Sequence, residues 1–168
     1  MAKKAFVYDG TNWVDLASST TDLSNYYTQA QADAITPPGA WTSYTPTLSF
    51  GWANGNGTWT ARYIKIGKTV HVSAYFVIGS TTTKGAGCDV SLPLTAVNSA
   101  HQINGNAYCS IAGNFYPIPI VAQSGTTIRF KTLVANGVYG IYNDLSGTTP
   151  ATFNTNDVIY FGLTYEAA

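Results

Sequence analysis

Protein chemistry needs side chains that ionise, attack or coordinate, and this sequence carries few of them. Charged residues make up 10% of 168, against about 25% in average domains. Glu166 is the single glutamate among 8 acidic residues. Glycoside hydrolysis needs two carboxylates facing one bond across roughly 5 to 10 Å. Several aspartates sit instead in turn sequences: Asp9 precedes Gly10, Asp144 follows Asn143 and Asp157 follows Asn156. In such places a short carboxylate hydrogen-bonds local backbone. His71 and His101 lack H-x-x-H spacing, and Cys88 and Cys109 lack C-x-x-C spacing, so the residues give no reason to expect a metal or cofactor. Serines are many, but no G-x-S-x-G and no evident base accompany them. No catalytic residue is assigned, and a non-enzymatic role is expected. The cysteines are expected to be free, buried packing residues of a chain made in a reducing cytosol.

Recognition chemistry has better candidates. Trp52 lies in the loop sequence FGWANGNG with Asn54 and Asn56, and Tyr139 and Tyr142 flank Gly140. An aromatic ring on such a loop could stack on a sugar while the amides hydrogen-bond its hydroxyls. A subunit contact fits the same residues, and the preferred reading of Trp52 is that it caps the end of its own sandwich or packs between subunits. Exposed aromatic patches mark contacts of some kind. The formal net charge is +0 and Lys3-Lys4 is the only basic block, which argues against nucleic acid, whose phosphates call for clustered Lys and Arg. The sequence has no apolar run of membrane-spanning length and no apolar N-terminal region of signal-peptide type, so neither a membrane helix nor a signal peptide is expected.

The elements that must position these residues read as strands. From Gly57 to Gly79 two alternating runs flank Gly67-Lys68. Trp59, Ala61 and Tyr63 share one face of the first run; Val70, Val72, Ala74 and Phe76 share one face of the second, with His71, Ser73, Tyr75 and Val77 opposite. Period-two alternation of β-branched and aromatic residues predicts half-buried strands, here a long central hairpin. Further strands are predicted over 41–50, with Pro46 suggesting an edge or bulge, and over 89–92, 103–112, 115–123, 126–134, 138–142 and 158–165. Pro117 and Pro119 place the 115–123 run at a sheet edge. The turn spacing predicts an all-β fold, an antiparallel β-sandwich of jelly-roll type, over 40–168.

Residues 1–39 read as a separate anchor, an N-terminal hairpin plus one short helix. Phe6-Val7-Tyr8 and Trp13-Val14-Asp15-Leu16 flank a turn sequence. So short a hairpin is marginal in water, so Phe6, Tyr8, Trp13 and Leu16 must pack on something, either their own domain or a docking surface on a neighbour. A helix is predicted over 28–35, where Thr28 and Gln31 fit a capping box and Pro37-Pro38-Gly39 follows. Tyr27, Ala30 and Ala34, with Ile35 beside them, fit a coiled-coil seam. They are expected to form a trimer interface, or else to cover their own sandwich.

The order of SYTPTLSF (43–50), RYIKIGKTVHV (62–72), SLP (91–93) and TPATFNTNDVIYFGLTYEA (149–167) resembles the C-terminal β-sandwich domains of bacteriophage minor tail and tail-fibre proteins. AFVYDGTNWVDL (5–16) and NYYTQAQADAI (25–35) resemble the anchoring hairpin and trimerising helix that precede such domains. The resemblance implies a homotrimeric, non-enzymatic protein displayed on the virion surface and made in the host cytoplasm. Its partners would be copies of itself and the major capsid or tail protein. Tail fibres are usually longer, and a short chain reaching its sandwich by residue 40 also resembles head decoration (cement) proteins, the expectation preferred here. A tail-fibre or receptor-binding role toward a host surface glycan comes second, and a free carbohydrate-binding module third.

Overall fold

The structure is a computed structural model that describes residues 6–8, 10–15, 39–97, 103–136 and 139–168. All regular structure among these residues is β. The predicted helix lies outside them, and so do Tyr27, Ala30, Ala34, Ile35, Leu16, His101 and the side chains of Phe6 and Tyr8. The chain divides into two compact units, Met1–Pro37 and Pro38–Ala168. In the first, β1 (Phe6–Tyr8) pairs antiparallel with β2 (Trp13–Asp15), and Trp13 is exposed.

The second unit is an antiparallel β-sandwich. It begins with the short strands β3 (Thr42–Ser43), β4 (Leu48–Ser49) and β5 (Trp52–Ala53). The long hairpin β6 (Thr58–Ile66) and β7 (Thr69–Val77) follows, then β8 (Thr83–Lys84) and β9 (Cys88–Ser91). β10 (Asn104–Ile111), β11 (Asn114–Ile118), β12 (Ile120–Ala122), β13 (Thr127–Asn136), β14 (Tyr139–Asp144) and β15 (Val158–Glu166) complete it. One sheet runs β11-β10-β15-β7-β6-β3; the other runs β12-β13-β9-β4, with β14 also paired to β13. β5 and β8 form a small ribbon.

The central hairpin turns where the sequence predicts. Gly67 has φ +58 and nothing lies near where its Cβ would be; a left-handed backbone there suits glycine. The alternation resolves as expected: Val70, Val72, Ala74 and Phe76 are buried. They face Leu48, Cys88, Val90, Ile128 and Phe130 of the second sheet within one core. Phe130 of β13 meets Phe161 of β15 across the sandwich, centroids 5.5 Å apart. Cys88 and Cys109 are both buried and unbridged.

Prolines alter two of the predicted strands. The run over 41–50 is two short strands in different sheets, with buried Pro46 between them. The run over 115–123 likewise divides, β11 at the edge of one sheet and β12 at the edge of the other. Proline lacks the N–H a ladder requires; the chain changes sheet across Pro46 and Pro119, while Pro117 stays within the edge strand β11. The long segment before β15 is also built in rather than loose, since Leu145 and Phe153 are buried. Asp157 holds its end, accepting hydrogen bonds from the amides of Ala112 (3.0 Å) and Asn154 (2.6 Å).

Candidate functional site

Side chains alternate across a strand, so the residues opposite the core cover the outer face of the six-stranded sheet. Register then decides which of them meet. Tyr75 of β7 pairs with Tyr160 of β15, and Tyr160 with Tyr108 of β10. The Tyr108 and Tyr160 rings stack at 4.7 Å between centroids, with 19° between planes. Tyr75 lies 5.8 Å from Tyr160 on one side, and Phe115 of β11 lies 5.7 Å from Tyr108 on the other. A row of rings thus crosses four adjacent strands, β7, β15, β10 and β11. Phe115 is 70% exposed and Tyr108 42%; aromatic pairs of this spacing hold one another upright.

Beside the row the face drops into a trough. Gly162, two residues along β15 from Tyr160, has no side chain to fill it, and its register partners are Ser73 and Asn106. A depression of about 510 Å3 lies over Ser73, Gly162 and Asn106, walled by the tyrosines. A second, of about 320 Å3, shares Asn106 and Gly162 and continues over His71, Thr164 and Asn104. Among the described residues no Asp, Glu, Lys or Arg lines either one. His71 Nδ1 lies 2.9 Å from Thr164 Oγ1, within hydrogen-bond reach.

A second exposed feature rises from the other sheet. Past Lys131 the strand paired with β13 is β14, and this hairpin exposes Leu133 (62%) and Tyr142 (61%) directly opposite each other, with Ile141 alongside. At its base Lys131 Nζ donates to Asp144 Oδ1 at 2.5 Å. Arg129 Nε and Nη2 donate to the two oxygens of Asp89 at 2.6 and 3.0 Å, and its guanidinium lies 3.8 Å from the centroid of the Phe50 ring.

The loop residues expected to touch a glycan or a subunit are placed differently. Trp52 is 3% exposed, packs edge-on to Phe153 at 5.4 Å and donates its indole N–H to the Gly85 carbonyl. It closes the end of its own sandwich, as the capping alternative expected, and is not exposed as a glycan contact would be. Asn54 accepts from the Leu48 amide and donates to the Pro46 carbonyl; Asn56 bonds Ser80 and Thr81. Both amides tie loops together, so neither is left for a ligand. Tyr142 is exposed as a contact residue should be, but on the β13–β14 hairpin, away from Trp52's loop in sequence; the Tyr139 side chain lies outside the described residues.

Sequence reasoning put Tyr75 on an outward face with His71 and Ser73 but gave Tyr108, Tyr160, Phe115 and Gly162 no role. Their outward positions in alternating strands were the available signal. No family model, curated protein or solved structure matches the chain.

Proposed function

We propose that this chain is a non-enzymatic, homotrimeric structural protein of a bacteriophage virion surface, acting as a capsid decoration or cement protein. The resemblance of its ordered segments to phage surface domains supports the particle. The observation that carries assembly is the β13–β14 hairpin, with Leu133 and Tyr142 more than half exposed and directly opposed. A two-stranded ribbon is marginal by itself, and paired exposed apolar side chains on one gain from being covered. A cement protein bridges neighbours, and an apolar arm on a sandwich suits that work. The anchor expected in residues 1–39 would supply the particle contact or the trimer seam.

A receptor-binding role on a tail is the second reading, favoured by one observation, the aromatic-walled trough on the six-stranded sheet. Light scattering should give about three times 17.9 kDa in solution. A stable monomer at micromolar concentration would remove the trimer. Leu133→Lys with Tyr142→Lys, and separately Ala30→Glu with Ala34→Glu, locate the seam by whichever pair lowers the mass. Cryo-EM of particles then separates the positions: density on the head supports decoration, density at the tail a fibre.

A further inference from the structure

We infer that the trough beside the tyrosine row is a binding site for a neutral, linear glycan. This deepens the receptor-binding reading and rests on it only for the source of the glycan. Sugars present C–H patches alternating with hydroxyls. The wall formed by Tyr75, Tyr160 and Tyr108 suits the C–H patches, and the floor and far side offer Ser73, Asn104 and Asn106 to hydroxyls. Those three side chains form no hydrogen bond with another described residue, whereas the loop amides Asn54 and Asn56 each both donate and accept within the fold. Amides left open along an aromatic wall can each pair with a hydroxyl; a dry apolar surface laid over them would leave them unpaired and unfavourably desolvated.

Charge narrows the ligand. Among the described residues no Lys or Arg lines the trough, so a sulfated or uronic-acid chain and a nucleic-acid backbone lack the fixed cations that would favour them over a neutral chain. Shape narrows it further. The two depressions run on from one another across an open sheet face, which suits successive sugar units better than one enclosed small molecule. Gly162 is the device that opens the floor. Its φ lies outside the left-handed range, and an added Cβ would meet only the Val72 carbonyl oxygen, at 3.6 Å. The backbone therefore does not require glycine; the room does.

The test is calorimetric titration of the full chain with cellotetraose, chitotetraose and maltotetraose, and with tetragalacturonate as the acidic comparison. At least one neutral tetramer should bind, and more tightly than the acidic one. Gly162→Phe, with its ring in the trough, and Asn106→Ala should each weaken binding by about tenfold or more with the thermal midpoint unchanged. Should Gly162→Phe fail to fold, Tyr108→Ala at an exposed position takes its place, with the same loss expected. The inference is overturned if no neutral tetramer binds at millimolar concentration, or if these variants bind like the parent. It also falls if they lower the oligomer's mass while no saccharide binds, since the trough is then a seam between copies. Binding by a protein that never joins a particle would sink the virion reading and leave this site standing.

Discussion

Asp89 and Arg129 pair through two hydrogen bonds, with side chains only 10% and 12% exposed. Removing one partner leaves the other charged where water barely reaches it. Asp89→Ala should cost about 3 kcal/mol in urea denaturation, the low end for a buried pair, because Asp144 lies 3.8 Å from the same guanidinium. Asp89→Leu with Arg129→Met should recover most of that loss, since replacing both charges removes the desolvation cost as well. Four other groups give the protein an alkaline limit. Burial pushes the Tyr165 phenol and the Cys109 thiol up to about 12, and raises Tyr44 and Cys88 as well. The unfolded chain releases these protons near 9.0 for the thiols and 10.0 for the phenols. Between those values and the folded ones the unfolded state binds fewer protons, so stability falls as pH rises. Urea midpoints should be level up to about pH 8.5 and decline steadily above it. A midpoint that holds at pH about 11 would contradict this burial. At this scale the sequence was partly legible. Asp157 reads correctly as a turn residue from Asn156-Asp157. Trp52 was left between a contact and a cap, because its Asn/Gly loop looks like surface while Phe153 and Gly85, far along the chain, enclose it.

Strands are the elements read most directly. The β6–β7 hairpin follows from alternation and Gly67, since both ends of the signal lie within one stretch of sequence. The divided runs at Pro46 and Pro119 were harder. A proline tells where a ladder must break, but not that the next residues join another sheet. The trough was illegible for a related reason: Tyr75, Tyr108 and Tyr160 meet only through the pairing of β7, β15 and β10, and register between distant strands leaves no local mark. The N-terminal hairpin can be tested as an element. Met1–Pro37 and Pro38–Ala168 are separate compact units, so deleting residues 2–17 should leave the sandwich's denaturation midpoint unchanged. If the midpoint falls by more than about 1 kcal/mol equivalent, the hairpin belongs to the sandwich core.

Taken as a whole, the molecule balances 8 basic against 8 acidic residues for a formal charge of +0. Nothing in that total steers it toward a charged partner or repels a second copy. Any assembly should then rest on apolar contacts such as Leu133 and Tyr142 rather than on ion pairs. Raising sodium chloride from about 0.1 to about 1 M should leave the oligomer's mass unchanged in light scattering, because only charge contacts are screened away. Dissociation at high salt would point to ionic seams instead. The all-β class and the sandwich were both readable at this scale, since composition, alternation and turn spacing are properties of the whole sequence.

The position of β15 has a consequence for how the protein is made. It follows β6, β7, β10 and β11 in the chain, yet it lies between β10 and β7 in the middle of their sheet. During synthesis the β6–β7 and β10–β11 hairpins emerge first and wait with unpaired inner edges, the situation in which strands join the wrong partner. Chains stalled with residues up to 157 outside the ribosome should be cut rapidly by protease, and chains with β15 also outside should resist it. Folding of this sheet is thus withheld until β15 has emerged, and a copy cut short before it is a client for chaperones rather than a building block.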